Sequence, residues 1–148
     1  MGPPGRARDE VQNLKSPSPY SSHMIRVAIN GYGTVGKRVA DAVAAQPDME
    51  IVGVSKTRPS FEAFIAKQRG FPLYIADPAK RAAFEKLGLP VAGTVPEMLA
   101  RADVVVDATP GGVGEENKPL YEKAKVKAIF QGGEEHEVAG FSFCSDCN

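Results

Sequence analysis

The chain has no tryptophan and only two cysteines, Cys144 and Cys147, both close to its end. Two thiols three residues apart cannot staple a domain, so a disulfide framework is excluded and a reducing, cytoplasmic compartment is the default. Charge of one sign is lacking as well: 18 Lys and Arg stand against 18 Asp and Glu. Such a balance gives no electrostatic grip on nucleic acid or on an anionic membrane, and neither is expected as a partner. No uncharged apolar run approaches the length of a membrane span. What is present is 148 residues, 43% of them hydrophobic, which is enough for one domain with a real core and too few for two ordinary ones.

The first 23 residues differ from the rest. Pro3, Pro4, Pro17 and Pro19 fall here among Ser, Gly and scattered charges, with no apolar periodicity, so this segment is expected to be disordered. It has no apolar h-region and is no signal peptide. Ser22-His23-Met24 reads as an expression scar ahead of a natural start at Met24, a native extension being the alternative. The folded domain is expected over residues 24–148.

From there the pattern is regular. Ile25 to Asn30 is a short β-branched run, read as a strand, and it stops at Gly31-Tyr32-Gly33-Thr34-Val35-Gly36. An amphipathic pattern begins at once, with Val35, Val39, Ala42 and Val43 on one helical face. Strand, glycine turn and helix together give the Gly-x-Gly-x-x-Gly spacing its meaning as a dinucleotide loop. Gly31 turns the chain, Gly33 lets a pyrophosphate approach the backbone, and Gly36 lets the helix pack closely. The helix N-terminus then offers unpaired N–H groups to phosphate. Glu50 to Ser55 is the second strand. At its end NAD-binding proteins carry an acid, about 20 residues past the glycines, to hold the adenosine ribose hydroxyls. Here the segment is Ser55-Lys56-Thr57-Arg58, without an acid. Lys56, Arg58 and the hydroxyls of Ser55 and Thr57 suit a 2′-phosphate instead. NADP is therefore the expected preferred cofactor, with NAD the second.

Ser60 is expected to cap a helix whose apolar face is Phe61, Phe64 and Ile65 and which ends at Gly70. Pro72 to Ala76 reads as a strand, Asp77-Pro78 opens a helix to Leu87, and Val91 to Gly93 is a brief strand. Thr94 caps a helix over Pro96 to Ala102. The aromatic residues of this region are read as core. Ala102 to Asp107, with its valine run, reads as a strand buried on both faces. It ends in Thr109-Pro110-Gly111-Gly112, where the Thr109 hydroxyl and the glycine backbone would face the same crevice as the first loop. Glu115 to Lys123 is a helix with Leu120 and Tyr121 inward. Lys127 to Gln131 is a strand that ends in Gly132-Gly133-Glu134, and a last strand is expected near Phe141 to Cys144. Strands and helices alternate throughout. The fold class is α/β, a Rossmann-type doubly wound, mainly parallel sheet with helices on both faces.

Two rival motifs are met by single residues. Gly31 to Lys37 also fits the start of a P-loop, but the next position, which must ligate magnesium through Ser or Thr, is Arg38. Cys144 and Cys147 have redox or zinc spacing, and His136 could add a third ligand. Yet a zinc deaminase needs a Glu where Val138 stands and a Pro where Phe143 stands. No metal site is expected, and His136, between Glu135 and Glu137, reads as a solvated surface residue.

Taken together, Asn30 to Val39, Ser55 to Pro59, Asp107 to Gly112, Asn117 to Ala124 and Ile129 to Glu134 resemble the archaeal-type phosphorylating glyceraldehyde-3-phosphate dehydrogenases. The resemblance implies that Thr34 and Val35 touch the pyrophosphate and that Lys56 and Thr57 touch the 2′-phosphate. It also implies that Thr109, Pro110 and Gly111 lie along the cofactor, with Gly133 near the nicotinamide. In that family a cysteine in a Ser-Cys-Asn-Thr-Thr setting attacks the aldehyde, hydride passes to NADP or NAD, and inorganic phosphate releases 1,3-bisphosphoglycerate. Here Cys147-Asn148 copies the first letters of that setting but no Thr-Thr follows, so no catalytic residue is expected in this chain. The chain is expected to be the cofactor-binding part of a homotetrameric parent, able to bind dinucleotide but not to turn over alone. Glyceraldehyde 3-phosphate and phosphate would then be ligands of the full-length parent only. A stand-alone nucleotide-binding or sensing module is the alternative that composition leaves open.

Overall fold

In a computed structural model, residues 23–131 and 134–141 are described. The expectations for the first 22 residues, for Gly132 and Gly133, and for Ser142 to Asn148 lie outside them. Six strands form one sheet: β1 (Ile25–Asn30), β2 (Met49–Lys56), β3 (Leu73–Ile75), β4 (Gly93–Thr94), β5 (Val104–Asp107) and β6 (Lys127–Phe130). Their order is β4-β3-β2-β1-β5-β6, and every pairing is parallel. Parallel neighbours need crossovers, supplied by α1 (Thr34–Ala44), α2 (Phe61–Gln68), α3 (Arg81–Lys86), α4 (Val95–Leu99) and α5 (Val113–Ala124). A short α6 (His136–Ala139), not expected from the sequence, follows β6.

Alternation along the strands builds two cores. Val27, Ile29, Leu73, Ile75 and Val106 face one side, packed with Ala40 of α1, Ala63 and Ala66 of α2 and Phe84 of α3. Ala28, Tyr74 and Val105 face the other, with Val95, Met98 and Leu99 of α4 and Tyr121 of α5. This is the doubly wound α/β sheet expected from the valine runs, whose strands are apolar on both faces because both are covered. The strand sequence reverses at β1, which lies between β2 and β5. In open parallel sheets that reversal leaves a crevice at the carboxyl ends of the strands.

Three packing details differ from the sequence reading. On α1 the buried positions are Gly36 and Ala40, while Val35 is 47% exposed. On α2 the sheet receives Ala63 and Ala66, and Phe61 and Phe64 turn outward, Phe61 being 75% exposed. Small residues win both contacts because a helix over a parallel sheet buries its closest residues deepest, and a phenyl ring there would push the helix away. The helix expected over Asp77 to Leu87 opens as a 3-10 turn, Pro78–Lys80, with the Asp77 carboxylate accepting from the Ala79 N–H at 3.0 Å.

The starts of β1 and β5 are tied by one ion pair. The Arg26 backbone N–H and guanidinium donate to Asp103 at 2.9 to 3.3 Å. The Arg26 hydrogen bonds hold the Asp103 carboxyl well below the ordinary carboxylate range, at about 2.

Candidate functional site

A cavity of about 760 Å³ opens at the carboxyl ends of the strands around the β1 reversal. Asn30, Gly31, Gly33, Thr34 and Val35 form one wall, Lys56, Thr57 and Arg58 a second, and Ala108, Thr109, Pro110 and Gly111 a third. Three turns far apart in sequence thus meet because β1, β2 and β5 lie side by side.

The first turn depends on its glycines. Gly31 has φ +98°, and a Cβ there would stand 2.9 Å from the Ala108 carbonyl carbon and the Thr109 nitrogen of the facing turn. A Cβ on Gly36 would come within 1.9 Å of the Gly31 carbonyl oxygen, so Gly36 seats α1 against its own loop. A Cβ on Gly33 would meet nothing within 4 Å. That is open space at the N-terminus of α1, whose first turn holds no acidic residue and whose N-cap, Gly33, brings no side chain. An uncapped helix N-terminus facing a cavity is suited to a phosphate.

Four groups expected to meet the ligand take other places. Tyr32 is fully buried, stacks edge-on against Phe71, and donates its N–H to the Ser55 carbonyl. It braces the loop from behind the cavity. Burial raises its phenol pKa, and its hydroxyl has no partner among the described residues. Gly36 is buried beneath the loop rather than lining the cavity. The Ser55 hydroxyl, expected to meet a 2′-phosphate, is 2.9 Å from the Gly31 N–H, which donates to it, and itself donates to Asn30 Oδ1 at 2.6 Å. The Thr109 hydroxyl likewise donates to Asp107 rather than into the cavity, although Thr109 does line it.

Both of these hydroxyls belong to a buried polar network that sequence reading missed. Asp107 is 1% exposed and accepts from the Tyr121 hydroxyl, from Asn117 Nδ2 at 3.0 Å, and from the Thr109 N–H at 2.9 Å. Asn30 Nδ2 donates to the Tyr121 oxygen at 2.6 Å. Burial, then the Asp107 hydrogen bond, drives the Tyr121 phenol far above its ordinary range, so it stays a proton donor. A buried carboxylate is tolerable when several donors surround it. Here the donors come from the third turn and from α5, and Asn30, just before the first turn, joins them through Tyr121, so one network ties both glycine turns. Its members lie at strand ends and on a helix face with no spacing that singles them out. Only the polar character of Asn30 and Asp107 at the ends of buried strands hinted at them.

The end of β2 also differs from expectation. The Lys56 side chain is 14% exposed, and its ammonium lies 3.7 Å from the Glu62 carboxylate. The Ser60 hydroxyl donates to that same Glu62 oxygen. This hydrogen bond, then one from the backbone, and then the charges of Lys56 and Lys37, hold Glu62 below its ordinary pKa. The segment after β2 has no acid in sequence, but the first turn of α2 brings one to it.

Across the cavity, Glu134 accepts from the Gly112 and Gly114 N–H groups at 3.1 and 3.0 Å, capping α5 with an internal carboxylate. Gln131 also lines the cavity. Gly133 lies outside the described residues. Among the described residues no helix is long and apolar enough to cross a membrane.

A doubly wound parallel sheet, a glycine turn opening a helix at the strand reversal, and a three-walled cavity there define a Rossmann-type domain that binds a nicotinamide dinucleotide, NAD or NADP. The chain belongs to the family described as "Dihydrodipicolinate reductase, N-terminus", which matches residues 25–132. It is 74% identical over 125 residues to the glyceraldehyde-3-phosphate dehydrogenase of Methanoregula boonei, covering 84% of this chain and 36% of that protein. It is 59% identical over 124 residues to that of Thermococcus kodakarensis, covering 84% of this chain and 37% of the relative. The resemblance to archaeal glyceraldehyde-3-phosphate dehydrogenases thus holds, and the chain spans little more than a third of the length of these curated relatives. Among solved structures it is similar in fold to the UDP-N-acetylglucosamine 3-dehydrogenase GnnA of Acidithiobacillus ferrooxidans, with a TM-score of 0.55 and 20% identity over 72% of this chain and 28% of that one. A second is the WlbA dehydrogenase of Bordetella pertussis in complex with NADH and UDP-GlcNAcA, with a TM-score of 0.52 and 21% identity over 73% of this chain and 28% of that one.

Proposed function

We propose that this chain is the cofactor-binding part of a phosphorylating glyceraldehyde-3-phosphate dehydrogenase and that it takes NADP in preference to NAD. The observation that carries the reading is the shared cavity: Lys56, Thr57 and Arg58 line the same space as the Gly31 to Val35 turn. A pyrophosphate at the α1 N-terminus, over the open face of Gly33, leaves the adenosine end toward Lys56. There a 2′-phosphate gains charge-assisted hydrogen bonds. Thr34 and Val35 flank the pyrophosphate, while Thr109, Pro110 and Gly111 form the wall along the rest of the cofactor. When bound, the nicotinamide supplies the acceptor for the electrons of the oxidised aldehyde. The chain's own residues hold and orient it and contribute no nucleophile.

The reaction therefore needs groups from the remainder of a longer, cytoplasmic and tetrameric enzyme, which holds the aldehyde and phosphate against the ring. By itself this chain binds dinucleotide and leaves glyceraldehyde 3-phosphate unchanged. Calorimetric titration of the purified chain tests both halves of the reading. Lys56→Glu is expected to weaken NADP at least tenfold more than NAD, about the effect of losing a charge-assisted bond and adding a repulsion. Equal losses for the two cofactors refute the NADP reading. Steady turnover of glyceraldehyde 3-phosphate by the 148-residue chain refutes the division of labour.

A further inference from the structure

We infer that Glu62 is the cofactor-discriminating acid of this site, supplied by α2 in place of the acid that is missing at the end of β2. The inference rests on the NADP reading of Lys56 and sharpens it. Segment Ser55 to Arg58 contains no carboxylate. Yet the first turn of α2 places the Glu62 carboxylate 3.7 Å from the ammonium of Lys56, which itself lines the cavity.

Two features show that this acid is aimed and not merely nearby. The Ser60 hydroxyl donates to the Glu62 oxygen that faces Lys56, fixing the direction of the carboxylate. Both side chains are also largely shielded, Lys56 at 14% exposure and Glu62 at 30%. A held, ionised carboxylate beside a ribose accepts hydrogen bonds from 2′ and 3′ hydroxyls, which favours NAD. The same carboxylate repels a 2′-phosphate and neutralises the ammonium that would bind it. Lys56 and Glu62 therefore oppose each other: the lysine selects the phosphate, the glutamate selects the hydroxyl, and the pair sets a modest NADP preference with NAD still usable. The two side chains form an ion pair at 3.7 Å. A 2′-phosphate must draw Lys56 from Glu62, whereas a 2′-hydroxyl can be held without parting them.

The test is titration of the purified chain with NADP and NAD, comparing Glu62→Gln with the unaltered chain. The substitution keeps the shape and the Ser60 contact while removing the charge. NADP is expected to bind about threefold more tightly, the scale of an exposed repulsion removed. NAD is expected to bind about tenfold more weakly, the scale of a hydrogen bond to a charged group lost. The ratio of the two dissociation constants should then move by about 30-fold. Glu62→Ala should tighten NADP in the same direction. If Glu62→Gln changes both affinities by one common factor, Glu62 is only a first-turn helix residue and the inference is overturned. In that case a Lys56→Glu substitution that weakens NADP more than NAD leaves the NADP reading standing. If Lys56→Glu weakens both cofactors equally, the NADP reading fails and takes this inference with it.

Discussion

Tyr32, Tyr74 and Tyr121 are each at most 2% exposed, and deleting the same hydroxyl from each should give three different answers. In Tyr121→Phe the Asp107 carboxylate loses a buried donor and Asn30 Nδ2 loses its acceptor. A hydrogen bond to a charged group contributes about 1.5–3 kcal/mol, and an orphaned buried donor adds about 1 kcal/mol, so the loss should be about 3 kcal/mol. For a domain of this size that is a fall in melting temperature of roughly 12 °C. In Tyr74→Phe the hydroxyl loses only a long contact of 3.4 Å from the exposed Arg101 guanidinium, and the cost should stay below about 0.5 kcal/mol. In Tyr32→Phe the deleted oxygen has no partner among the described residues to lose. A buried unpaired hydroxyl costs about 1–3 kcal/mol relative to water, so its removal should stabilise the chain by about 1 kcal/mol. Urea or thermal denaturation of the three variants measures the series. Three equal effects, a Tyr121→Phe loss under about 1 kcal/mol, or a destabilised Tyr32→Phe would refute the hydrogen-bond reasoning. Cofactor titration adds a second readout, because the Tyr121 network holds both glycine turns. Tyr121→Phe should weaken dinucleotide binding even where the chain remains folded, while Tyr74→Phe should not.

Gly33→Ala and Gly36→Ala separate ligand space from packing space. The new methyl at Gly33 meets nothing, at an ordinary φ of −98°, so stability should change by less than about 1 kcal/mol while dinucleotide affinity falls at least about tenfold. The methyl at Gly36 would lie 1.9 Å from the Gly31 oxygen, so circular dichroism melts should show a loss of at least about 3 kcal/mol. Asp103 has a folded pKa of about 2 against an ordinary 3.8. Its pairing with Arg26 therefore stabilises fully above pH 4 and is lost as pH falls toward 2. Arg26→Ala should move the acid-unfolding midpoint upward, and an unchanged midpoint would show that the pair does not contribute.

Much of the fold was legible because its signals are local. The β-branched runs at Ile25 to Asn30 and Val104 to Val106, the glycine turn and the capped helix starts depend on residues within one or two turns of each other. The errors share one cause. Helical spacing identifies an apolar face but not the distance at which that face meets the sheet. Close packing admits Gly36, Ala40, Ala63 and Ala66 and turns Val35, Phe61 and Phe64 outward. Likewise, Tyr32 sits inside a binding motif by sequence, yet its ring packs in the core against Phe71.

By itself the sequence determined the Rossmann-type class and the place of the phosphate turn, because strand period, glycine spacing and helix entry are properties of neighbouring residues. Only the tertiary structure decided which polar groups serve the scaffold. Asn30 meets Tyr121 across 91 residues and Ser55 across 25 because β1 lies between β2 and β5. The Asn30 pairing commits the Ser55 hydroxyl to the frame, and the Thr109 hydroxyl goes to Asp107 two residues before it. The turn from β2 into α2 brings Glu62 back to Lys56, an acid beside a strand end that contains none. A hydrogen-bonding group can donate each proton once, and the fold decides where it goes.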